Sequence, residues 1–161
     1  MTCTSIELLK VKAERIIYWV WKFFRTLFPV IDTDILEQVR KKYPESWLIH
    51  FDKMLPPDKA HVLRLFKAIS EDRNLTAEIR EKLIMLALAH DIGKSIVRQN
   101  IFTRVIKVVI PIPNRSHPIL GARLLKKLNA PSDIVRRVAR HHIPAEKDKF
   151  LKLFQYYDDN V

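Results

Sequence analysis

Glycine is nearly absent from this chain: of 161 residues, only Gly93 and Gly121 lack a side chain. Tight β-hairpins rely on glycine-containing pairs for backbone angles that other residues avoid. Their scarcity argues against an antiparallel all-β fold with many short turns. Two glycines are also too few to build the phosphate-cradling loops of P-loop or dinucleotide-binding proteins. Punctuation comes instead from nine prolines, between which apolar residues recur at helical spacing. The expected fold class is all-α.

A first helix is expected over Ser5–Phe28, stopped near Pro29. A second starts after a cap at Asp32 or Thr33 and ends before Pro44. A short Trp-containing segment, Glu45–Leu55, leads into Pro56-Pro57, and Pro57-Asp58 opens a third helix running to about Ser70. Thr76 caps a fourth, with Glu78 in its first turn, that ends at His90-Asp91. Ser95–Arg115 carries β-branched residues at Val105–Ile110 and reads as a helix or extended segment followed by a loop. Ser116 caps a helix from His117 to about Leu128, and two more are expected over Ser132–His142 and Glu146–Asp158. There is no internal repeat or low-complexity tract. The expected organisation is one compact helical bundle, residues 51–161, carrying an N-terminal helical extension, residues 1–50, packed on it.

Hydrophobic residues make up 48% of the chain and charged residues 29%, enough apolar surface for a folded core and too much for disorder. Net charge is +11, which favours phosphorylated or otherwise anionic partners, nucleic acid included. A single cysteine, Cys3, cannot form an internal disulfide and fits a reducing compartment, so a cytoplasmic location is expected. No stretch reaches the roughly 18 uninterrupted apolar residues of a membrane span. The aromatic run Ile16–Trp21 is followed by Lys22 and Arg25 without a small-residue cleavage site, which argues against a signal peptide. Residues 1–28 suit either peripheral contact with an anionic membrane or packing on the domain or on a second copy in a homo-oligomer. Apolar residues on several faces of this segment favour packing.

Histidines and aspartates end or head the apolar stripes of the expected helices. Ile79, Leu83, Leu86 and Ala87 lead to His90. His61 heads Leu65, Ala68 and Ile69, and His117 heads Leu120, Gly121, Leu124, Leu125 and Leu128. Ile134 and Val138 lead to His141 and His142, and Leu151 and Phe154 lead to Asp158. Asp159 lies about 100° away from that last line. One histidine on an apolar face is usually a hydrogen-bonded core residue. Five elements bringing His or Asp inward are different, because burying so many ionisable groups costs several kcal/mol each unless a cation balances them. A divalent ion takes imidazole and carboxylate as its natural ligands.

The pieces Asp58-Lys59-Ala60-His61, His90-Asp91-Ile92-Gly93-Lys94, His117-Pro118-Ile119-Leu120-Gly121-Ala122, His141-His142 and Leu153–Asp159, in this order, resemble the HD superfamily of metal-dependent phosphohydrolases. The resemblance runs from about Pro56 to Asp158. It implies a helical HD-domain bundle with a first metal held by His61, His90, Asp91 and Asp158. It further implies a second ion held by His117, His141 and His142, with Asp91 bridging the two. One or two ions of Mn, Fe, Co or Mg suit such a nitrogen-oxygen donor set better than a closed structural zinc.

Two such ions clamp a phosphate and activate a water to attack it, with Asp91 as the central catalytic carboxylate. Lys94, one turn beyond Asp91, either neutralises charge developing on the phosphoryl group or caps the helix C-terminus in solvent. Arg98, Arg104, Lys107 and Arg115 lie between two ligand helices, where they meet substrate phosphate or form a solvated basic loop. Asp58 either orients His61 or caps its helix. The expected activity is hydrolysis of a phosphoester or phosphoanhydride bond in a nucleotide-like substrate; a diadenosine-polyphosphate hydrolase falls within the same chemistry. The interval from His142 to Asp158 is short beside that of the large two-metal signalling phosphodiesterases, which argues against their cyclic-dinucleotide substrate. The rival reading is a nucleic-acid-binding or regulatory module with a structural metal, although no zinc-finger spacing or RNA-binding signature is present.

Overall fold

The computed structural model describes Val20, Phe24 and residues 27–97 and 116–161. Among these residues there is no strand, and seven α-helices are formed, with a short 3-10 helix between the fourth and fifth. They are α1 (Thr33–Lys42), α2 (Glu45–Asp52), α3 (Pro56–Glu71), α4 (Ala77–Ala89), the 3-10 turn Ile92–Ser95, α5 (Ser116–Lys127), α6 (Ser132–Arg140) and α7 (Lys149–Asn160). The all-α expectation is met. The helix expected over Ser5–Phe28 falls mostly outside the described residues, as do Arg98, Arg104, Lys107 and Arg115. Among the described residues no helix is long and apolar enough to cross a membrane.

Local chemistry explains most helix starts. The Asp32 carboxylate accepts from the Ile35 amide, and the Thr76 hydroxyl accepts from the Ile79 amide. Pro56 and Pro57 open α3, where a missing N–H costs nothing. Three boundaries differ from expectation. Glu45–Asp52 is a helix, started by Pro44 and held inward by buried Trp47 and Phe51. The sixth helix stops at Arg140, leaving His141 as its cap and His142 beyond it. The last begins at Lys149, because Asp148 rather than the preceding Glu146 accepts from the Leu151 amide.

Helix α3 packs on α1, α4 and α7, while α6 packs on α4 and α5. Leu65 and Ile69 of α3, Leu83 and Leu86 of α4, Leu125 of α5, Val138 of α6 and Phe154 of α7 are all fully buried. Val39 of α1 and Trp47 and Phe51 of α2 join the same core, so residues 33–52 are packed on the rest. Ile79, expected on the inward stripe of α4, is exposed; it sits in the first turn, and the buried residues of that helix begin only at Leu83. Tyr43 reaches across from the end of α1 to hydrogen-bond the Leu88 carbonyl, tying the first helix to the last turn of α4.

The two glycines meet. A Cβ on Gly93 would collide with the His117 carbonyl oxygen and lie 2.6 Å from the Gly121 amide nitrogen. A Cβ on Gly121 would come to 3.1 Å from the Gly93 nitrogen. The 3-10 turn therefore lies directly on the α5 backbone, which only two residues without side chains allow. This contact sets His90-Asp91, just before the turn, against His117 in the first turn of α5.

Candidate metal centre

The sequence-selected His and Asp residues reach one region from five helices, most of them from a helix end. His61 comes from the second turn of α3, His90 caps α4, and Asp91 precedes the 3-10 turn. His117 lies in the first turn of α5, His141 caps α6, and Asp158 lies in the last turn of α7. His90, Asp91, His117 and His141 are buried. His142 is exposed, contrary to the inward placement expected for it, because α6 ends two residues earlier and helical register no longer directs it. Asp158 is half-buried and Asp159 exposed, as the stripe predicts.

The donor atoms fall into two groups. Those of His61, His90 and Asp158 all lie within 4.8 Å of one another, as do those of His117, His141 and His142. Asp91 stands between the groups. Its Oδ2 is 3.3 Å from His90 Nε2, while its Oδ1 is 3.3 Å from His117 Nε2 and 4.0 Å from His141 Nε2. On the first side His61 Nε2 is 2.8 Å and His90 Nε2 3.5 Å from Asp158 Oδ1. On the second, His142 Nε2 is 3.0 Å from His117 Nε2, so two lone-pair-bearing nitrogens face each other and can share at most one proton.

The ring tautomers are set from behind. His90 Nδ1 donates to the Ala87 carbonyl at 2.8 Å, and His141 Nδ1 donates to the Val138 carbonyl at 2.7 Å. In the neutral rings each Nε2 then carries its lone pair toward the centre, the arrangement a metal-ligating histidine needs. Buried polar atoms nearly always have hydrogen-bond partners. Here the buried Asp91 Oδ1, His141 Nε2 and His117 Nδ1 have none that is well formed. A cation held by the His117, His141 and His142 group would satisfy the first two.

The electrostatics agree. Burial works to lower the His90 pKa, but the Asp91 and Asp158 carboxylates beside it outweigh burial and raise it to about 9. Burial and the neighbouring His90 push His141 down to about 3. Burial alone would raise Asp91, yet Lys94 and His90 hold it well below the usual carboxylate range; His90 and His61 do the same for Asp158. Two ionised carboxylates thus face a histidine that takes up a proton when no metal is there to balance them. The donor set fits a divalent ion.

Lys94 is not the exposed helix cap that was one expectation for it. Its ammonium pairs with Asp91 Oδ2 and, at 3.0 Å, with Asp58 Oδ1, and the side chain is only 18% exposed. Asp58 is itself buried, and its carboxylate pairs with Lys94. Gln155 escaped the sequence reading. Its side-chain nitrogen donates to the carbonyls of His141 and Ile143, both at 2.8 Å, and its oxygen accepts from the Ala145 amide at 3.2 Å. It holds the turn that carries the histidine pair. Nothing in sequence distinguishes it from a surface glutamine except its place one turn before Asp158 and Asp159.

Residues 60–159 match the family model of the HD domain, and the chain belongs to that family. HD-domain proteins are in general metal-dependent phosphohydrolases. Searches of curated proteins and of solved structures returned no match.

Proposed function

We propose that the protein is a metal-dependent phosphohydrolase that cleaves a phosphoester or phosphoanhydride bond in a nucleotide-like substrate. The observation that carries this reading is Asp91, whose two oxygens face two separate groups of three donors. His61, His90, Asp91 and Asp158 would hold one divalent cation, and His117, His141 and His142, with Asp91 between, a second. Cations bound there supply Lewis acidity toward a phosphoryl oxygen and acidify a water for attack. With nitrogen and oxygen donors and no cysteine among them, the site suits Mn, Fe, Co or Mg.

The chain's own groups do the positioning. Backbone carbonyls of Ala87 and Val138 fix the His90 and His141 tautomers. Asp58 holds Lys94 against Asp91, keeping a positive charge beside the carboxylate that divides the site. Such a charge offsets negative charge building on a phosphoryl oxygen. The net charge of +11 supports a substrate with several phosphates.

Purified protein should contain a divalent transition metal, or take one up. With Mn²⁺ it should turn over at least one member of a panel of mononucleotides, dinucleotides, dinucleoside polyphosphates and an aryl phosphate. Full metal loading without turnover of any of these would refute the enzyme.

A further inference from the structure

A second charged feature lies on α6 and the connection to α7, outside the donor groups. There α6, the segment Pro144–Asp148 and the start of α7 enclose a cleft of about 710 Å³. Arg136 and Arg140 of α6, Lys147 of the connecting segment and Lys149 at the start of α7 are among the residues that line it. All four side chains are exposed, and among the described residues none lies within ion-pair distance of a carboxylate. The remaining cation, Arg137, is handled differently. Its guanidinium is tied to Asp133 at 2.7 Å and Asp148 at 3.1 Å, and it stacks 4.5 Å from the Phe150 ring. One arginine thus builds the wall with its charge satisfied, while four cations keep theirs on the rim. Only Glu146 among the lining residues offers an uncommitted carboxylate in return.

We propose that this cleft binds the phosphodiester backbone of single-stranded nucleic acid, as a site separate from the metal centre. Repeated phosphates match several cations spread around one groove better than a single small anion does. A cavity of this size admits a few nucleotides of flexible strand but not the body of a duplex. No aromatic side chain lines the cleft, and the nearby Phe150 ring is stacked on by Arg137, so no ring is offered there for base stacking. Binding is therefore electrostatic, tolerant of sequence and steep in salt. The same +11 charge that suits a phosphorylated substrate acquires a specific location.

The test uses full-length protein, a fluorescein-labelled oligo(U) and a salt series, with EDTA present so that nothing is cleaved. Two variants of equal charge change are compared: Arg136→Glu/Arg140→Glu/Lys147→Glu in the cleft, and Arg123→Glu/Lys126→Glu/Lys127→Glu on exposed positions of α5. The cleft variant should bind at least about tenfold more weakly and lose about 0.7 of salt slope for each phosphate contact removed. The α5 variant should stay within a small factor of wild type. Equal weakening by both variants would show a diffuse positive surface and overturn the proposal. So would absence of oligo(U) binding by wild type, or tighter binding of a duplex of the same length. Aryl-phosphate turnover by the cleft variant reports separately on the metal centre: it should match wild type whatever the binding result.

Discussion

Asp91 is the residue on which the site turns, because removing it takes one oxygen from each donor group. Asp91→Ala should abolish turnover and cut metal content to a trace while leaving the helical circular dichroism in place; a variant retaining both metal and activity would refute its role. His90 makes the binding pH-dependent. Its pKa near 9 means that at neutral pH a cation must displace its proton, whereas His141, near 3, is already neutral. Mn²⁺ affinity should therefore rise about tenfold per pH unit for this one proton as pH climbs toward 9, then level off. A raised pKa also stabilises the ion-free fold fully below the unfolded value of 6.5 and loses that contribution as pH rises through about 9. An affinity independent of pH from 6.5 to 9 would contradict this proton exchange. Gln155 acts one step back. Gln155→Ala removes three hydrogen bonds to the turn after α6 and should weaken metal binding by the His117, His141 and His142 group roughly 10–100-fold. Calorimetric titration should show one affinity lowered and the other nearly unchanged; equal loss at both would mean a general loosening of the fold.

At the scale of elements, helix ends carry the chemistry and glycine contact aligns them. Gly93→Ala puts a methyl group into the α5 backbone, where no side-chain rotation can relieve it. We expect destabilisation of at least about 1–3 kcal/mol in urea unfolding and a loss of metal affinity, because the His90-Asp91 pair shifts away from His117. Gly121→Ala meets gentler contacts, the nearest at 3.1 Å, and should cost less. Equal tolerance of both alanines would show that the two elements can separate cheaply. Proline positions, Asp32 and Thr76 made the starts of α1, α3 and α4 legible in sequence. The end of α6 was not legible, since nothing between Arg140 and His142 breaks a helix by itself. Gln155, from a different helix, captures the carbonyls of His141 and Ile143 and holds the turn.

For the molecule as a whole, metal and fold are linked. The donor groups are assembled from α3, α4 and α7 on one side and α5 and α6 on the other, so cations bound in both tie five elements together. Saturating Mn²⁺ at about a hundred times its Kd should add about 2.7 kcal/mol, seen as a higher Tm than in EDTA; identical melting curves would argue against binding to the native state. Helical periodicity and the two-glycine, nine-proline composition were sufficient to determine an all-α chain. They also placed His61, His90, His117, His141 and Asp158 on core-facing stripes, because helical geometry relates residues of one helix to each other. Periodicity carries no information about distances between helices. Only tertiary packing decided that Gly93 would lie on Gly121, that Asp91 would divide two donor groups, that Lys94 would pair with Asp58, and that His142 would face solvent. Those outcomes depend on how distant segments exclude one another's volume.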